Sequence, residues 1–591
     1  MMKIFVYYEW EKAMLVCLNK IKFIPIFILI IFFVDCFNLI ENIKFNQLSK
    51  DFLNQYFQYH PVQATLTGIH DYDDQLAGYS KQNMNELIRF YKLSSEKIAS
   101  LDTSKLSNTN KINYQILSQH IKLKLFELEE WTRWQRDATY YIQNIYDAIS
   151  SLHYHTKDST ETPTKNLISR LDQIPGMIAN AKQNLQSLSD VNLAAVIEQI
   201  ENQTSIIAFQ LSDKFVISEA LVDSFNKKSE IVVDTLENFI KFLESKNKSS
   251  AASSLQMTPE LYKTYISLLL NINIEPEELI EWIDADYQNN YDDILSAANR
   301  ILNETKKKNE VIREHSLFEK VNDEFEKKSL TKNEIIPYCY EFLQEIKRFI
   351  DEILNLSLSI DFDILIDWAG NDRMLVLKLA DSENPGLLEP EPRYLCLVKP
   401  ILNDRDWIQQ LSELREYNKP SLKVAIILEA MPSHYQVWVK NLENIPKLAK
   451  VFPDQVLVNG WHYYFAFSML NSGFDGYDPE LQYVLLKNYA RILLLAKVEI
   501  QYYLQKLTDQ QVERLLLESN MFKKSEIDDV RYQLNYSPGK ALTIYWAVRQ
   551  LKKMQDICHK QLGPHFNMND FFQHILKQGP LPIKLISWKS K

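Results

Sequence analysis

The sequence predicts a large, mainly α-helical protein with one small β-sheet, and three observations support this fold class. The 591 residues include 11 glycines and 20 prolines, which is few for a sheet-rich protein that needs many tight turns. Most of the chain places apolar residues three and four positions apart, as amphipathic helices do. Only residues 358–399 contain short runs that alternate between apolar and polar residues, as strands do.

The N-terminus carries an unbroken apolar run from Phe23 to Val34, preceded by Lys20 and Lys22. A positive flank followed by a short apolar stretch is typical of a signal peptide. The run is shorter than the roughly 20 residues that a membrane-spanning helix needs. We therefore expect residues 1–40 to be a signal peptide or an N-terminal membrane anchor of an exported protein, with Met1 or Met14 as the start. The alternative is a buried helix of a cytosolic protein.

Two helical regions follow, and we place their boundary near the small polar stretch Ala251 to Ser254. Residues 41–250 form the N-terminal helical region, whose first helix should end at His60-Pro61, because a residue before proline avoids the helical conformation. His70 lies in a loop-like passage beyond that proline. We interpret it as a locally hydrogen-bonded loop histidine, with a functional role as the less favoured alternative.

Residues 251–591 form the C-terminal region, which includes the strands. Three short runs predict a small antiparallel sheet: Ser359 to Asp367, Met374 to Leu379, and Tyr394 to Val398. Helical periodicity then resumes and continues to Trp588.

Composition excludes two classes of protein. The formal net charge is -11 and no long basic run is present, so nucleic acid is not expected as a partner. Five cysteines without a C-x-x-C pair indicate neither a disulfide framework nor a zinc ribbon.

One stretch, Leu428 to His434, resembles a zinc motif of metallopeptidases that reads H-E-x-x-P-G-H. In that motif two histidines hold the metal and the glutamate activates a water. Here Leu428 stands at the first histidine position, while Glu429 and His434 remain. Positions 428 and 434 do not share a face of a straight helix, so the metal interpretation rests on the resemblance and not on periodicity.

Further passages, in order along the chain, resemble a bacterial family called "domain of unknown function 885". These passages are Pro61 to Asp73, Trp134 to Asp137, Arg170 to Pro175, Leu428 to His434, Asn459 to Tyr464, Gly473-Phe474 with Asp478 to Glu480, Pro538 to Ala541, and Gly579 to Pro582. The family is usually placed among gluzincin-like zinc metallopeptidases. The resemblance implies a large helical scaffold with a deep channel, a small sheet beside the active-site helix, and zinc at the channel wall.

The resemblance also implies which residues should do the chemistry, and most of them are absent. The third zinc ligand of the family falls at Asn459, and a further glutamate falls at Ala466. Two of three expected ligands, at Leu428 and Asn459, are therefore lost, and one histidine does not hold zinc at useful affinity. Two other family histidines fall within passages that read here Gln501 to Tyr503 and Phe571 to Gln573. A family tyrosine falls at Ile544, beside Tyr545.

These departures predict a catalytically degenerate metallopeptidase-like protein that binds a peptide or another ligand in its channel, with Glu429 as a vestigial general base and no cofactor. Candidate ligand contacts are Trp461, Tyr464, Arg531, Tyr532 and Tyr545. One alternative is an active zinc peptidase with a rebuilt ligand set of His434, His462 and Glu429. Another alternative is a structural or partner-binding protein without a small ligand. Ser433 lacks the context of a nucleophile elbow.

Overall fold

The structure is a computed structural model. It describes residues 26–154, 160–186, 193–247, 257–305, 314–352, 364–369, 378–383, 386–389, 394–401, 414–440, 445–586 and 588, with backbone alone for 26–38 and 430–440 and at a few other positions. The predicted linker at 251–254 lies outside these residues, as do the predicted strand residues 374–377.

The N-terminal part of the chain is built from helices. They are α1 (Ile26–Tyr59), α2 (Pro61–Thr67), α3 (Lys81–Ala99), α4 (Asn108–Leu125), α5 (Arg133–Arg136), α6 (Thr139–Tyr154), α7 (Thr162–Asn184), α8 (Leu193–Phe209), α9 (Leu211–Lys214) and α10 (Glu219–Asn247). The first helix ends directly before His60-Pro61, as the sequence predicted. The residues of the apolar run from Ile26 onward are helical in α1.

The helices continue through the C-terminal part. They are α11 (Pro259–Leu270), α12 (Pro276–Thr305), α13 (Glu314–Glu326), α14 (Lys332–Glu352), α15 (Lys419–Lys440), α16 (Lys447–Val451), α17 (Gln455–Asn471), α18 (Pro479–Tyr503), α19 (Asp509–Glu518), α20 (Ile527–Tyr536), α21 (Lys540–Leu562) and α22 (Met568–Gln578). Across the described residues, none of the helices combines the length and the apolar character that crossing a membrane requires.

Between α14 and α15 lies a sheet of three strands, β1 (Ile364–Trp368), β2 (Ala380–Glu383) and β3 (Tyr394–Val398), in the order β1-β3-β2. The third predicted strand has the bounds that the sequence indicated, and all its residues are buried, as befits a central strand. The sheet is mixed and not antiparallel as expected: β2 runs antiparallel to β3, but β1 runs parallel to it. Alternation of apolar and polar residues indicates which residues form a strand. It does not indicate which other strand pairs with that strand, or whether the two run parallel or antiparallel.

The two parts of the chain share one hydrophobic cluster that includes residues from Phe45 to Ile586. The ring of Phe52 in α1 lies 6.2 Å from that of Phe452, which follows α16. A second contact joins the end of α2 to the segment after β2, where the Leu388 N–H donates to the Thr67 carbonyl at 3.1 Å. Gly386 is required there, because a Cβ at this position would collide with the Thr67 backbone.

Candidate functional site

The motif stretch lies in α15, which is helical from Lys419 to Lys440 and runs through Pro432. Leu428 is 6% exposed and belongs to the hydrophobic core, so this position contributes packing and no metal ligand. The side chains of Ser433 and His434 lie outside the described part of the structure. The predicted role of His434 therefore stays a prediction.

Glu429 is buried, with 5% of the residue exposed, where α15 packs on β2. Its Oε1 accepts a hydrogen bond from the Lys378 ammonium at 3.0 Å, and its Oε2 accepts one from the Ser382 backbone N–H at 3.1 Å. Lys378 also donates to Asp381 Oδ1 at 3.0 Å. Both carboxylate oxygens of Glu429 are thus engaged, one by a cation and one by the edge of the sheet.

Lys378 is stabilised by two carboxylates, those of Asp381 and Glu429, which in turn repel each other. Burial lowers the pKa of Lys378, but Asp381 and Glu429 outweigh that effect and raise the pKa above its ordinary value. The side chain therefore stays an ammonium at neutral pH. Burial raises the pKa of Glu429, while Lys378 opposes this rise. An ion pair at such a buried position is costly to break, because either partner alone is left as an uncompensated charge.

Helix α17 carries the second family passage and begins after Asp454, whose side chain caps the helix by accepting from the Leu457 N–H at 2.7 Å. Asn459, at an expected ligand position, donates through Nδ2 to Thr543 Oγ1 of α21 at 3.3 Å. Gly460 lets α17 approach α21 closely, since a Cβ there would collide with Ala547. The helix is thus fixed to α21 through two positions of the motif.

Trp461 and Tyr464, which the sequence proposed as ligand contacts, are core residues, 3% and 1% exposed. The ring of Trp461 lies 6.0 Å from that of Phe572, and the Tyr464 hydroxyl donates to Gln555 Oε1 at 2.8 Å. Ala466 is fully buried in the same helix. A ligand contact by either aromatic residue stays a prediction, since their observed contacts are those of helix packing.

His462 and Tyr463 lie near the Glu429 cluster. Burial, and next the charge of Lys378, lower the pKa of His462 to about 3; a hydrogen bond with the Val458 backbone opposes this effect, and the charge of Lys540 adds to it. No side-chain or backbone group among the described residues hydrogen-bonds the buried His462 Nδ1. Burial raises the pKa of Tyr463 to about 12, with Lys378 and Arg491 acting to lower it and Glu429 to raise it. The charge of Lys378 thus acts on both Glu429 and His462, two members of the proposed rebuilt set.

The other three candidate contacts engage other parts of the protein. Arg531 forms ion pairs at 2.8 Å with Glu513 and with Asp528. The Tyr532 hydroxyl accepts from Gln199 Nε2 at 2.5 Å, which ties α20 to α8. The Tyr545 hydroxyl donates to Asp286 Oδ2 at 3.0 Å and shares that oxygen with Arg549, at 2.6 Å. No contact joins these three residues to Glu429 within the described part of the chain.

The sequence did not predict a role at this site for three charged residues: Lys378, Asp381 and Lys540. Lys378 lies in the stretch from Met374 to Leu379 that was predicted as a strand, and its pairing with a residue 51 positions further on, in a helix, follows from the fold alone. Among the described residues, no group of three or more histidine, cysteine, aspartate or glutamate side chains is arranged to hold a metal ion.

The fold and this site place the protein in a class of large, mainly helical proteins that have a small sheet beside one helix, here α15. The sequence profile of the family described as "Bacterial protein of unknown function (DUF885)" matches residues 61–589. The chain therefore belongs to that family, as the resemblance indicated. No curated protein is detectably similar in sequence.

Two solved structures share the fold. One is titled "The structure of a putative lipoprotein of unknown function from Shewanella oneidensis", with a TM-score of 0.73 and 18% identity. The other is titled "The crystal structure of the putative lipoprotein from Colwellia psychrerythraea", with a TM-score of 0.73 and 16% identity. In both cases the similarity covers 92% of this chain and 98% of the other. At this identity the likeness establishes the fold.

Proposed function

We propose that the protein is a catalytically degenerate, gluzincin-like metallopeptidase homologue that binds a peptide or another ligand beside Glu429 without hydrolysing it. The observation that carries the proposal is the Lys378 ammonium, which lies 3.0 Å from the carboxylate at the general-base position. In this proposal the Lys378 ammonium supplies the positive charge that a metal ion supplies in an active metallopeptidase.

An ammonium does not replace the chemistry of zinc. A catalytic metal binds a water, lowers its pKa and polarises the substrate carbonyl. An ammonium has only N–H groups to offer and no open coordination position. Each oxygen of the Glu429 carboxylate accepts a hydrogen bond, one from the Lys378 ammonium and the other from the Ser382 backbone N–H. Glu429 therefore acts as the counter-ion of Lys378, and both of its oxygens are hydrogen-bonded within the protein.

The described residues do not fit the zinc that the superfamily implies. Leu428 has no donor atom, and Asn459 offers a neutral amide that is hydrogen-bonded to Thr543. We derive no catalytic step through a metal for this reason.

We further propose that the protein is exported and is held at a membrane if its N-terminal segment stays uncleaved. The apolar run after Lys20 and Lys22 supports export, and so do the titles of the two structural neighbours, which name lipoproteins. A fusion of residues 14–45 to a reporter that is active only outside the cytoplasm tests this proposal.

Peptidase assays test the degenerate account. We expect the wild-type protein and its Glu429→Gln variant to show the same background rate on a mixed peptide library, with and without added zinc. A rate that depends on zinc and falls by a factor of 100 or more in Glu429→Gln, as loss of a general base does, would overturn the proposal.

One observation favours the second candidate, an active peptidase with the rebuilt set His434, His462 and Glu429. The buried Nδ1 of His462 has no hydrogen-bond partner among the described residues, as a ligand awaiting a metal would. In that case His462→Ala and His434→Ala should each abolish zinc binding, whereas the degenerate account expects no zinc to be lost because none is held.

A further inference from the structure

Two parts of the chain that lie far apart in the sequence interlock just after β2. The segment 386–389 follows that strand, and its Leu388 N–H donates to the Thr67 carbonyl at the end of α2, at 3.1 Å. Gly68 ends α2 with a φ of 94°, and a Cβ at this position would collide with the backbone of Glu389. The backbone of the segment thus lies directly against the end of α2.

One side chain joins the two parts at this junction. His70, in the turn after α2, lies between two carboxylates: its Nδ1 is 2.9 Å from Asp73 Oδ2, and its Nε2 is 3.0 Å from Glu389 Oε2. An ionised carboxylate only accepts hydrogen bonds, so both ring nitrogens donate, and an imidazole that donates twice is protonated. Asp73 and Glu389 are each 5% exposed. The geometry therefore makes His70 a cation that two buried anions share.

The N-terminal side of this junction is held by a continuous row of hydrogen bonds. The Thr65 hydroxyl donates to Asp73 Oδ1 at 2.6 Å and accepts from Arg170 Nη2 at 2.7 Å. Arg170, on α7, is fully buried and also donates through Nη1 to the Ala148 carbonyl of α6, at 2.6 Å. Three helices thus fix the position of Asp73, and Asp73 fixes the His70 ring that reaches Glu389.

The segment held by His70 lies close along the chain to the Glu429 site. Gly386 comes four residues after Ser382, whose N–H donates to Glu429 Oε2 at 3.1 Å. Four residues span at most about 14 Å even when fully extended. A displacement of the segment therefore acts on the end of β2, and with it on the N–H that Glu429 accepts.

We propose that His70 is a positioning residue for the Glu429 site. Its imidazolium fastens the segment 386–389 to the N-terminal part of the chain and so keeps the backbone of β2 against Glu429. Loss of the contact releases the segment and the end of β2, while the rest of the fold persists. This inference goes beyond the proposed function, because it does not depend on whether a ligand or a metal binds beside Glu429.

Hydrogen–deuterium exchange of the full chain at pH 7, read by mass spectrometry on a peptide that covers residues 379–390, tests the inference. We expect His70→Ala to speed exchange in this peptide at least tenfold, because Asp73 and Glu389 lose the cation that they share. Exchange in α12 should be unchanged. Wild-type exchange in the β2 peptide overturns the inference. An equal increase in both peptides also overturns it, since that pattern indicates a general loss of stability.

A milder variant tests the same contact from its other side. Glu389→Gln keeps an acceptor for the His70 Nε2–H but removes the charge, so it should speed exchange in the β2 peptide about fivefold, less than His70→Ala does. The matched control is Glu277→Gln, which removes a charge from an exposed ion pair with Lys506 at 2.8 Å and should stay within about a factor of two of the wild type. Circular dichroism confirms that each variant is folded. Equal exchange in Glu389→Gln and the control overturns the inference.

The inference and the proposed function fail separately. If the protein has no zinc-dependent peptidase activity and His70→Ala leaves exchange at β2 unchanged, only the positioning role of His70 is lost. If the protein hydrolyses peptides with zinc and His70→Ala speeds exchange at β2, only the degenerate account is lost.

Discussion

At the scale of single residues, the contact between Lys378 and Glu429 determines the chemistry of the site. The Glu429 side chain is 7% exposed, and the Lys378 ammonium lies 3.0 Å from its Oε1. A buried carboxylate without a partner would be strongly destabilising, whereas the pair together is tolerated. The ammonium therefore explains how a buried carboxylate is tolerated in α15, directly after Leu428, whose side chain has no donor atom for a metal.

Lys378→Met should lower the free energy of unfolding by about 1–3 kcal/mol, because Glu429 is left buried and unpaired, while water at the partly exposed lysine already screens the native pair. The double variant Lys378→Met/Glu429→Gln should recover most of this loss. Chemical denaturation measures both. The control Lys506→Met removes an exposed pair with Glu277 and should change stability by less than about 0.5 kcal/mol. Equal stability of Lys378→Met and the wild type would show that the ion pair is not formed.

His70 is the second residue whose environment makes a measurable prediction. Its Nδ1 lies 2.9 Å from Asp73 Oδ2 and its Nε2 lies 3.0 Å from Glu389 Oε2. The contact with Asp73 confirms the expected local hydrogen bond, and the contact with Glu389 adds a link to the segment before β3. Hydrogen bonds to Asp73 and then Glu389 raise the pKa of His70 to about 10.

Because the folded pKa lies above the ordinary value, the protonated histidine stabilises the folded state fully below about pH 6.5. This contribution falls as the pH rises and is lost above about pH 10. His70→Asn should therefore cost about 1–2 kcal/mol at pH 6 and little at pH 10, when unfolding is followed at both values. The exposed His565→Asn should show no such difference. A cost that is equal at both pH values would contradict the role of the charge.

At the scale of elements, the start of α21 is held by a buried carboxyl. Glu499 of α18 is 1% exposed, and its Oε1 accepts from the Tyr262 hydroxyl at 2.7 Å and from the Gly539 N–H at 2.8 Å. Gly539 has a φ of 83°, a conformation that favours glycine. Lys540 follows it directly, and its charge acts on both Glu429 and His462. Helix α18 thus sets the position of a cation at the site.

Burial raises the pKa of Glu499 to about 7. The folded protein therefore holds a proton that the unfolded chain has already released, and stability falls as the pH rises from about 4.5 to about 7. Glu499→Gln accepts the same two hydrogen bonds without a charge, so it should flatten this fall and stabilise the protein by up to about 3 kcal/mol above pH 7. Unfolding at pH 5 and pH 8 checks this. The exposed Glu518→Gln should follow the wild type, and a variant that retains the wild-type slope would refute the assignment.

At the scale of the whole molecule, the helical fold was predictable because apolar residues repeat at helical spacing over most of the chain. The strand Tyr394–Val398 was also predictable, since a short continuous apolar run indicates a buried central strand. The parallel pairing of β1 with β3 was not predictable, because neighbours in a sheet are chosen by the fold and not by either strand alone.

The candidate site was predictable only in part. The motif singled out Glu429, which lies against the sheet, while the rebuilt set with His434 and His462 stays a prediction. Lys378 was missed because no spacing rule connects a lysine in an alternating stretch to a glutamate in a distant helix. Trp461 and Tyr464 lie in a motif passage, but their rings pack the core, as large aromatic side chains in helices commonly do.

The central claim is that a lysine ammonium, and not a metal ion, accompanies Glu429. The most direct test is the zinc content per chain of protein purified without chelator and then exposed to a small excess of zinc and desalted. We predict well under one tenth of an equivalent, and no change in Glu429→Gln, since one histidine does not hold zinc. About one equivalent of zinc per chain, lost in His434→Ala and in His462→Ala, would contradict the account.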